Sequence, residues 1–400
     1  MKRLIVVGAG PAGLSLALQL ARAGQAVTLL EAQRTFSRTF RGDALMPCGL
    51  EALARMGLLP LLRGLPQRPL AGWQVWVEGR CLFAVQEPLG ALQPCTLVPQ
   101  QALLEALLAE ARRLPLFRMQ AGVSVSGLQI EGDRVTGVHL ADGSNLAADL
   151  VIACDGRDSA VRQAAGLELV ARGQPLELLW FELPASAAQG PPGIRRSERL
   201  DGFLTLVGGG AIASACRAAG GELQLGWLLR PGERPPQRTS QAWAAELAAL
   251  APPELAAVLG RDGETLSRPQ RFRVQMGLAR DWQRPGLLLL GDAAHPMSPI
   301  RAQGINMALR DSLVAARELL AAPAGPAGLD LACRRIEGLR RPEIQRLQAL
   351  QLAEARQGHW IGHTPLLRHG LALAAPWLGP LARAVWTARQ KPLREGVAWL

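Results

Sequence analysis

Tyrosine is absent from this 400-residue chain, and lysine occurs only at Lys2 and Lys391. Without tyrosine, no phenol of the protein can act as a proton donor, proton acceptor or radical. With lysine so scarce, the formal charge of +11 is carried almost wholly by arginine. Aromatic residues make up 4% of the chain, the arginines are dispersed, and no nucleic-acid-binding module is present. A nucleic-acid partner is therefore not expected. No run approaches the roughly 18 unbroken apolar residues of a membrane span. Behind Met1-Lys2-Arg3 the apolar run Leu4–Val7 stops after four residues, too soon for a secretory signal. The six cysteines (Cys48, Cys81, Cys95, Cys154, Cys216, Cys333) contain no C-x-x-C pair. Neither a disulfide framework nor a zinc site is implied, and they read as buried or half-buried thiols in a reducing cytoplasm. His359 and His363 have the i, i+4 spacing of metal ligands, but no Glu lies between them and Gly362 and Pro365 weaken the helix. No metal is expected.

The chain does hold enough apolar residues, 49%, for a large core. Leu4–Val7 reads as a strand buried on both faces, Leu14, Ala17, Leu18 and Ala21 recur at helical spacing, and Val27–Leu30 reads as a second strand. Trp73, Val75 and Val77, a turn at Glu78-Gly79, and Leu82–Val85 make a hairpin. Residues 101–112 predict a helix, followed by three strands at about 123–130, 134–140 and 145–153. The stretch 175–270 reads as strand-rich, Gly286–Leu290 as a strand, and a helix is expected from about Gln303 to Leu320. Helices then dominate, after a loop at Ala322–Gly328.

Between the first strand and helix stands Gly8-Ala9-Gly10-Pro11-Ala12-Gly13. This G-x-G-x-x-G pattern permits a tight turn, backbone approach to a diphosphate and close helix–strand packing. Glu31 closes the second strand, where an acid can accept hydrogen bonds from a ribose. Two later segments, Asp149–Arg162 (DLVIACDGRDSAVR) and Gly286–Asp311 (GLLLLGDAAHPMSPIRAQGINMALRD), each run a strand into an Asp/Gly turn.

These three segments, in this order, resemble the FAD-dependent monooxygenases of the aromatic-hydroxylase class, which include para-hydroxybenzoate hydroxylase and the ubiquinone-pathway hydroxylases. The resemblance implies an α/β Rossmann-type FAD-binding domain of discontinuous segments (1–70, 96–174 and 271–345). It further implies an inserted, mainly antiparallel β-sheet substrate domain (71–95 and 175–270) and C-terminal helices (346–400). It assigns FAD to Gly8, Gly10, Ala12, Gly13, Glu31, Arg41, Gln100, Asp155, Gly156, Gly291 and Asp292. Pro299 would lie against the flavin ring, and Gln303, Gly304, Ile305 and Asn306 would point helix amides at it. Asp155 and Asp292 have an alternative role as strand-end caps, and Arg41, with Asp43 beside it, as a surface ion-pair residue. His295 and Arg41 are the candidates for a catalytic role.

The pattern is broken at two places. Gln100 stands where the family's R-x-x-L helix has arginine, and Ala302 replaces the first glycine of G-Q-G. The implied chemistry is reduction of FAD by NADPH or NADH, capture of O2 as a C4a-hydroperoxide, and oxygen transfer to an aromatic or other electron-rich apolar molecule. Phenol activation, done in some members by tyrosine, would need another residue. Trp180, Phe181, Phe203 and Trp227 suggest an apolar pocket, with core packing as the alternative. A flavin-dependent reductase of the isoprenoid double-bond type and a non-catalytic FAD-binding redox sensor are the competing functions. Trp73-Gln74-Val75-Trp76 does not match the halogenase W-x-W-x-I-P segment. The apolar, basic tail from about 365, with Trp377, Trp386 and Trp399, could lie on a membrane surface or pack on the body.

Overall fold

From Leu4 onward every residue of the strand Arg3–Val7 is buried, so it belongs in the middle of a sheet covered on both faces. The computed structural model, which describes residues 2–36, 43–90, 93–188, 198–230 and 232–397, places it there. Arg3–Val7 pairs in parallel with Ala26–Glu31 on one side and Leu150–Ala153 on the other. Phe117–Ala121 and Leu287–Leu289 extend the parallel sheet outward, and Gln283–Arg284 closes one edge antiparallel. The helices Pro11–Arg22, Gln100–Ala111 and Gln303–Leu320 bury Leu14, Leu18, Leu107 and Leu309 in one apolar cluster with Leu4, Val6 and Leu29.

The segment expected as a third strand at 145–153 is two strands. Asn145–Ala147 pairs antiparallel with Arg134–Leu140, which also pairs with Val125–Glu131. The chain then turns, and Leu150–Ala153 enters the parallel sheet. At the turn Asp149 accepts hydrogen bonds from the Arg3 amide (2.8 Å) and guanidinium (3.2 Å). The 322–328 loop is shorter than expected, since a helix resumes at Pro326.

The second sheet has seven strands, drawn from Gly72–Val77, Arg80–Gln86, Leu176–Leu183, Phe203–Gly208, Ala211–Arg217, Leu223–Leu229 and Gln270–Val274. Its pairings are antiparallel except that between Phe203–Gly208 and Gly72–Val77. The 175–270 region is less uniformly strand than its sequence suggests, because Ser240–Leu250 and Pro253–Asp262 are helices. Thr239 caps the first by accepting from the Ala242 amide (3.2 Å). Leu179, Phe181 and Leu183 pack with Trp243, Leu247 and Leu255 of those helices. Side chains alternate along a strand, so Trp180 and Glu182 face the other way, toward the parallel-sheet half. Two long helices, Pro326–His363 and Pro365–Glu395, end the described chain, and the second lays Ala372 and Ala375 against Leu82 and Phe83. Among the described residues no helix is long and apolar enough to cross a membrane.

Candidate active site

All five parallel strands end at one edge of the sheet, where an open α/β fold leaves its ligand crevice. The glycine loop lies there. Gly8 has φ +98°, and a Cβ on it would stand 2.4 Å from the Cys154 carbonyl oxygen. A Cβ on Gly13 would stand 2.0 Å from the Gly8 oxygen. Both glycines are therefore fixed by the protein's own packing. Gly10 differs, because nothing lies within 4 Å of where its Cβ would be. The helix beginning there has proline first and no acid in its first turn. Helix geometry leaves the Ala12 and Gly13 amides without intrahelical partners, facing whatever anion enters.

A cavity of about 390 Å3 opens from this loop. Ala9, Gly10, Glu31 and Gln100 line one side, and Trp180, Glu182, Gln224 and Gln270 of the second sheet line the other. The Glu31 carboxylate accepts from the Ala9 (2.7 Å) and Gln33 (2.9 Å) amides, which fixes it on the wall. Asp43 lies between the two sides, accepting from the Gln100 amide (3.2 Å) and from Gln224 Nε2 (3.5 Å). Burial pushes its carboxyl up from the ordinary 3.8 to about 6; the bonds from Gln100 and Gln224 oppose the rise, and nearby Glu222 adds to it.

A group whose folded-state pKa is raised in this way binds protons more readily folded than unfolded. Its charged form therefore costs stability as pH climbs from about 4 through 6. Asp43→Asn is expected to stabilise the protein by up to about 3 kcal/mol above pH 6, with the gain vanishing near pH 4. Urea unfolding at pH 4 and pH 7.5 measures this, and equal gains at both would refute the assignment. In sequence Asp43 is merely the neighbour of Arg41, and only the fold shows it on the cavity wall. Arg41 itself lies outside the described residues, as does Trp399.

The other two segments reach the same edge of the sheet. Asp155 uses both carboxylate oxygens within its own turn, accepting from Ser159 Oγ (2.6 Å) and the Val161 amide (3.1 Å). That is the capping role. Gly156 beside it has open space where a Cβ would be. Arg162 then ties this turn to the next segment by donating to the Ala293 carbonyl (2.9 Å) and the Arg157 carbonyl (2.8 Å). Asp292 receives Arg157 Nε (3.1 Å) and lies near Gly304 in the first turn of Gln303–Leu320. Gly291 abuts Ala12, and the half-buried Pro299 stands in the chain just before that helix. Gln303 and Asn306 spend their side chains on the protein. Gln303 Nε2 donates to Leu393 O (2.7 Å), while Asn306 receives the Met46 amide (2.9 Å) and donates to Ala44 O (3.0 Å). Ile305 is buried in the apolar cluster. The first-turn amides of this helix have no intrahelical partners and are free to meet a ligand.

His295 faces away from the cavity. It is fully buried against Trp282, with ring centroids 4.9 Å apart, and its Nε2 donates to Asp311 Oδ2 (2.6 Å). Asp311 also accepts from the Gly291 amide (3.1 Å) and from Arg340 Nε (2.7 Å). Arg340 and Arg310 converge on Glu343. Burial by itself would raise the Asp311 carboxyl, but His295 and Arg340 beside it hold it below the usual carboxylate range. This is a structural network clamping the Gly291–His295 turn to two helices.

Ala302, the cap of Gln303–Leu320, adopts φ +48°, and Arg301 before it φ +59°. The lost glycine therefore still has its left-handed backbone, now on alanine, at a cost of roughly 1 kcal/mol or more. Arg301 anchors the strained turn. Its guanidinium pairs with Glu354 and lies 5.1 Å from both the Trp73 and Trp386 rings. Ala302→Gly is expected to raise stability by about 1 kcal/mol, several degrees in Tm at most. An unchanged or lower Tm by calorimetry would contradict it.

Of the aromatic residues expected to line a pocket, Trp180 lies on the cavity. Phe181 and Trp227 pack on Trp243 and Phe203 on Trp73, as core. Cys81 is exposed, contrary to expectation; Cys154 is half-buried and the other four thiols are buried. His359 and His363 stack at 4.0 Å, and among the described residues no group of His, Cys, Asp and Glu is arranged to hold a metal.

A helix end with free amides, an acid at the end of the second strand and two further glycine turns meet at one sheet edge, the arrangement of a dinucleotide-binding fold. The sequence profile described as "FAD binding domain" matches residues 2–334, and the chain belongs to that family. It is an FAD-dependent oxidoreductase of the monooxygenase type, with NAD(P)H as co-substrate. It is similar to 6-methylpretetramide 4-monooxygenase of Streptomyces rimosus, with 36% identity over 88% of this chain and 83% of that protein. It is also similar to ubiquinone hydroxylase UbiL of Rhodospirillum rubrum, with 27% identity over 95% and 87%. The fold matches the crystal structure of PqsL from Pseudomonas aeruginosa, with a TM-score of 0.74, 20% identity and coverage of 93% and 98%.

Proposed function

We propose that this enzyme hydroxylates a multi-ring, phenol-bearing aromatic molecule held on the inner face of the seven-stranded sheet, across from the FAD that the glycine loop, Glu31 and Gln100 would hold. The observation that carries the reading is the single cavity wall shared by Gly10, Glu31 and Gln100 on one side and Trp180 and Gln224 on the other. The 36% identity to 6-methylpretetramide 4-monooxygenase supports an aromatic-hydroxylase reading.

In this reading residues 1–70, 96–174 and 271–345 hold the cofactor, and 71–95 with 175–270 hold the substrate. The open space at Gly10 and the acid-free first turns of Pro11–Arg22 and Gln303–Leu320 fit a bound anionic dinucleotide. Gly8, Gly10, Ala12 and Gly13 would meet its diphosphate and Glu31 a ribose. Gln100, Gly156, Gly291 and Asp292 would complete the contacts. Pro299 and the amides of Gln303, Gly304, Ile305 and Asn306 would face the ring system. When bound, FAD supplies the hydride acceptance and oxygen activation that no side chain here provides.

The protein's share is to orient the substrate, exclude water and manage one proton. Asp43 is the group placed to hold that proton in a chain without tyrosine, with Gln224 and Gln100 steering its carboxylate. The terminal helices, rather than a spanning segment, are the part of the enzyme that would meet a membrane.

The purified protein is expected to be yellow, and to oxidise NAD(P)H faster with fused-ring phenols than with single-ring phenols. One atom of 18O2 should appear in the product by mass spectrometry. Stimulated NAD(P)H oxidation without an oxygenated product would overturn the substrate reading.

A further inference from the structure

The helix Pro365–Glu395 packs inward through Ala372 and Ala375 but leaves large apolar side chains on its outer face. Leu366 is 88% exposed, Trp377 78%, and Leu373 and Leu381 63% each, with Trp360 at 62% on the preceding helix. At 3.6 residues per turn the four on Pro365–Glu395 fall within an arc of roughly 80°. A stripe of this kind on a protein otherwise well buried marks a surface made to be covered.

The charge around it is one-sided. From residue 355 to 394 there is no Asp or Glu, and there are six cations. Arg368 and Arg394 are buried against Glu78 and Glu87. Arg356, Arg383, Arg389 and Lys391 remain exposed. On the helical wheel Lys391 lies in line with the stripe, as does the half-buried Glu395 that ends the helix, and Arg383 and Arg389 stand about 80° beyond its two edges. A second copy of this chain would bring the same four cations against themselves, on a protein already carrying +11. An anionic surface would neutralise them. The helix carries Pro376, Pro380 and Pro392 and lacks the apolar length to span a bilayer, so it must lie in the plane of the interface.

We propose that the outer face of Pro365–Glu395 docks peripherally on an anionic lipid bilayer, seating Leu366, Leu373, Trp377 and Leu381 among the headgroups with Arg383, Arg389 and Lys391 on lipid phosphates. Indole rings favour that depth, and each cation near such a surface contributes about a fivefold gain in partition.

The test is co-sedimentation of the FAD-loaded enzyme with vesicles of phosphatidylcholine alone and of phosphatidylcholine with phosphatidylglycerol. Binding is expected on the mixed vesicles alone, on the order of a hundredfold above the neutral ones, and lost in high salt. Trp377→Glu with Leu381→Glu should abolish it. Arg383→Gln with Arg389→Gln and Lys391→Gln should weaken it while keeping the stripe, and covers the case in which the first pair misfolds. Both variants should keep their FAD and their NAD(P)H oxidation in the absence of vesicles, which separates this docking from the proposed chemistry. No binding to the mixed vesicles, or equal binding by both variants, would overturn the proposal. So would a concentration-dependent dimer that Trp377→Glu with Leu381→Glu dissolves.

Discussion

Asp311→Ala is expected to destabilise the protein by about 4 kcal/mol, the cost of leaving a buried charge without its partner. The reason is local. Asp311 receives His295, the Gly291 amide and Arg340 at once, and all three lie where water cannot replace the lost oxygens. Loss of FAD should accompany the loss of stability, because the Gly291–His295 turn is held at the sheet edge by the same carboxylate. Because the Asp311 carboxyl is held low in the fold, its contribution is present above the unfolded value near 4. It disappears as pH falls through the lower folded value. Urea unfolding at pH 7 should therefore separate the variant widely from the parent, and unfolding at strongly acidic pH should bring them together. A variant within about 1 kcal/mol of the parent at pH 7 would show that the network is not structural.

Gly10→Val should do the opposite. Nothing within 4 Å would meet the new Cβ, so the apo-protein should unfold within about 0.5 kcal/mol of the parent. The side chain would instead occupy the space in front of the helix end. FAD affinity is expected to fall at least about a hundredfold, or roughly 3 kcal/mol, as read by flavin fluorescence titration. A variant that bound FAD normally would remove Gly10 from the site. Gly8→Val is a useful contrast, because there the clash is with the Cys154 carbonyl and the fold itself should fail.

The glycine loop, its flanking strands and the helix Gln303–Leu320 were legible in the sequence because their signals are local: a run of buried residues, a fixed glycine spacing, a helical period. The helices Ser240–Leu250 and Pro253–Asp262 were not, because alanine-rich stretches such as AWAAELAAL carry little periodic contrast. The switch at Ala148-Asp149 was also hidden, because two strands of different sheets adjoin without a glycine or proline between them. For the site, the three motif segments were legible in the sequence, but the side chains that line the cavity were not. Asp155 turned out to spend its carboxylate on its own turn, Asn306 on the strand Ala44–Leu45 and His295 on a buried network. The cavity wall of Asp43, Trp180 and Gln224 is assembled by long-range pairing that no short motif encodes.

Arg301 belongs by backbone to the turn beside the proposed flavin ring, and by side chain to three distant elements through Trp73, Glu354 and Trp386. These four positions share one guanidinium, so their substitutions should not act independently. Once Arg301 is gone, changing Trp386 should matter far less than it does in the parent, which is the non-additivity expected of residues in contact. In related chains, drift at position 386 would then be tolerated only where position 301 has already moved.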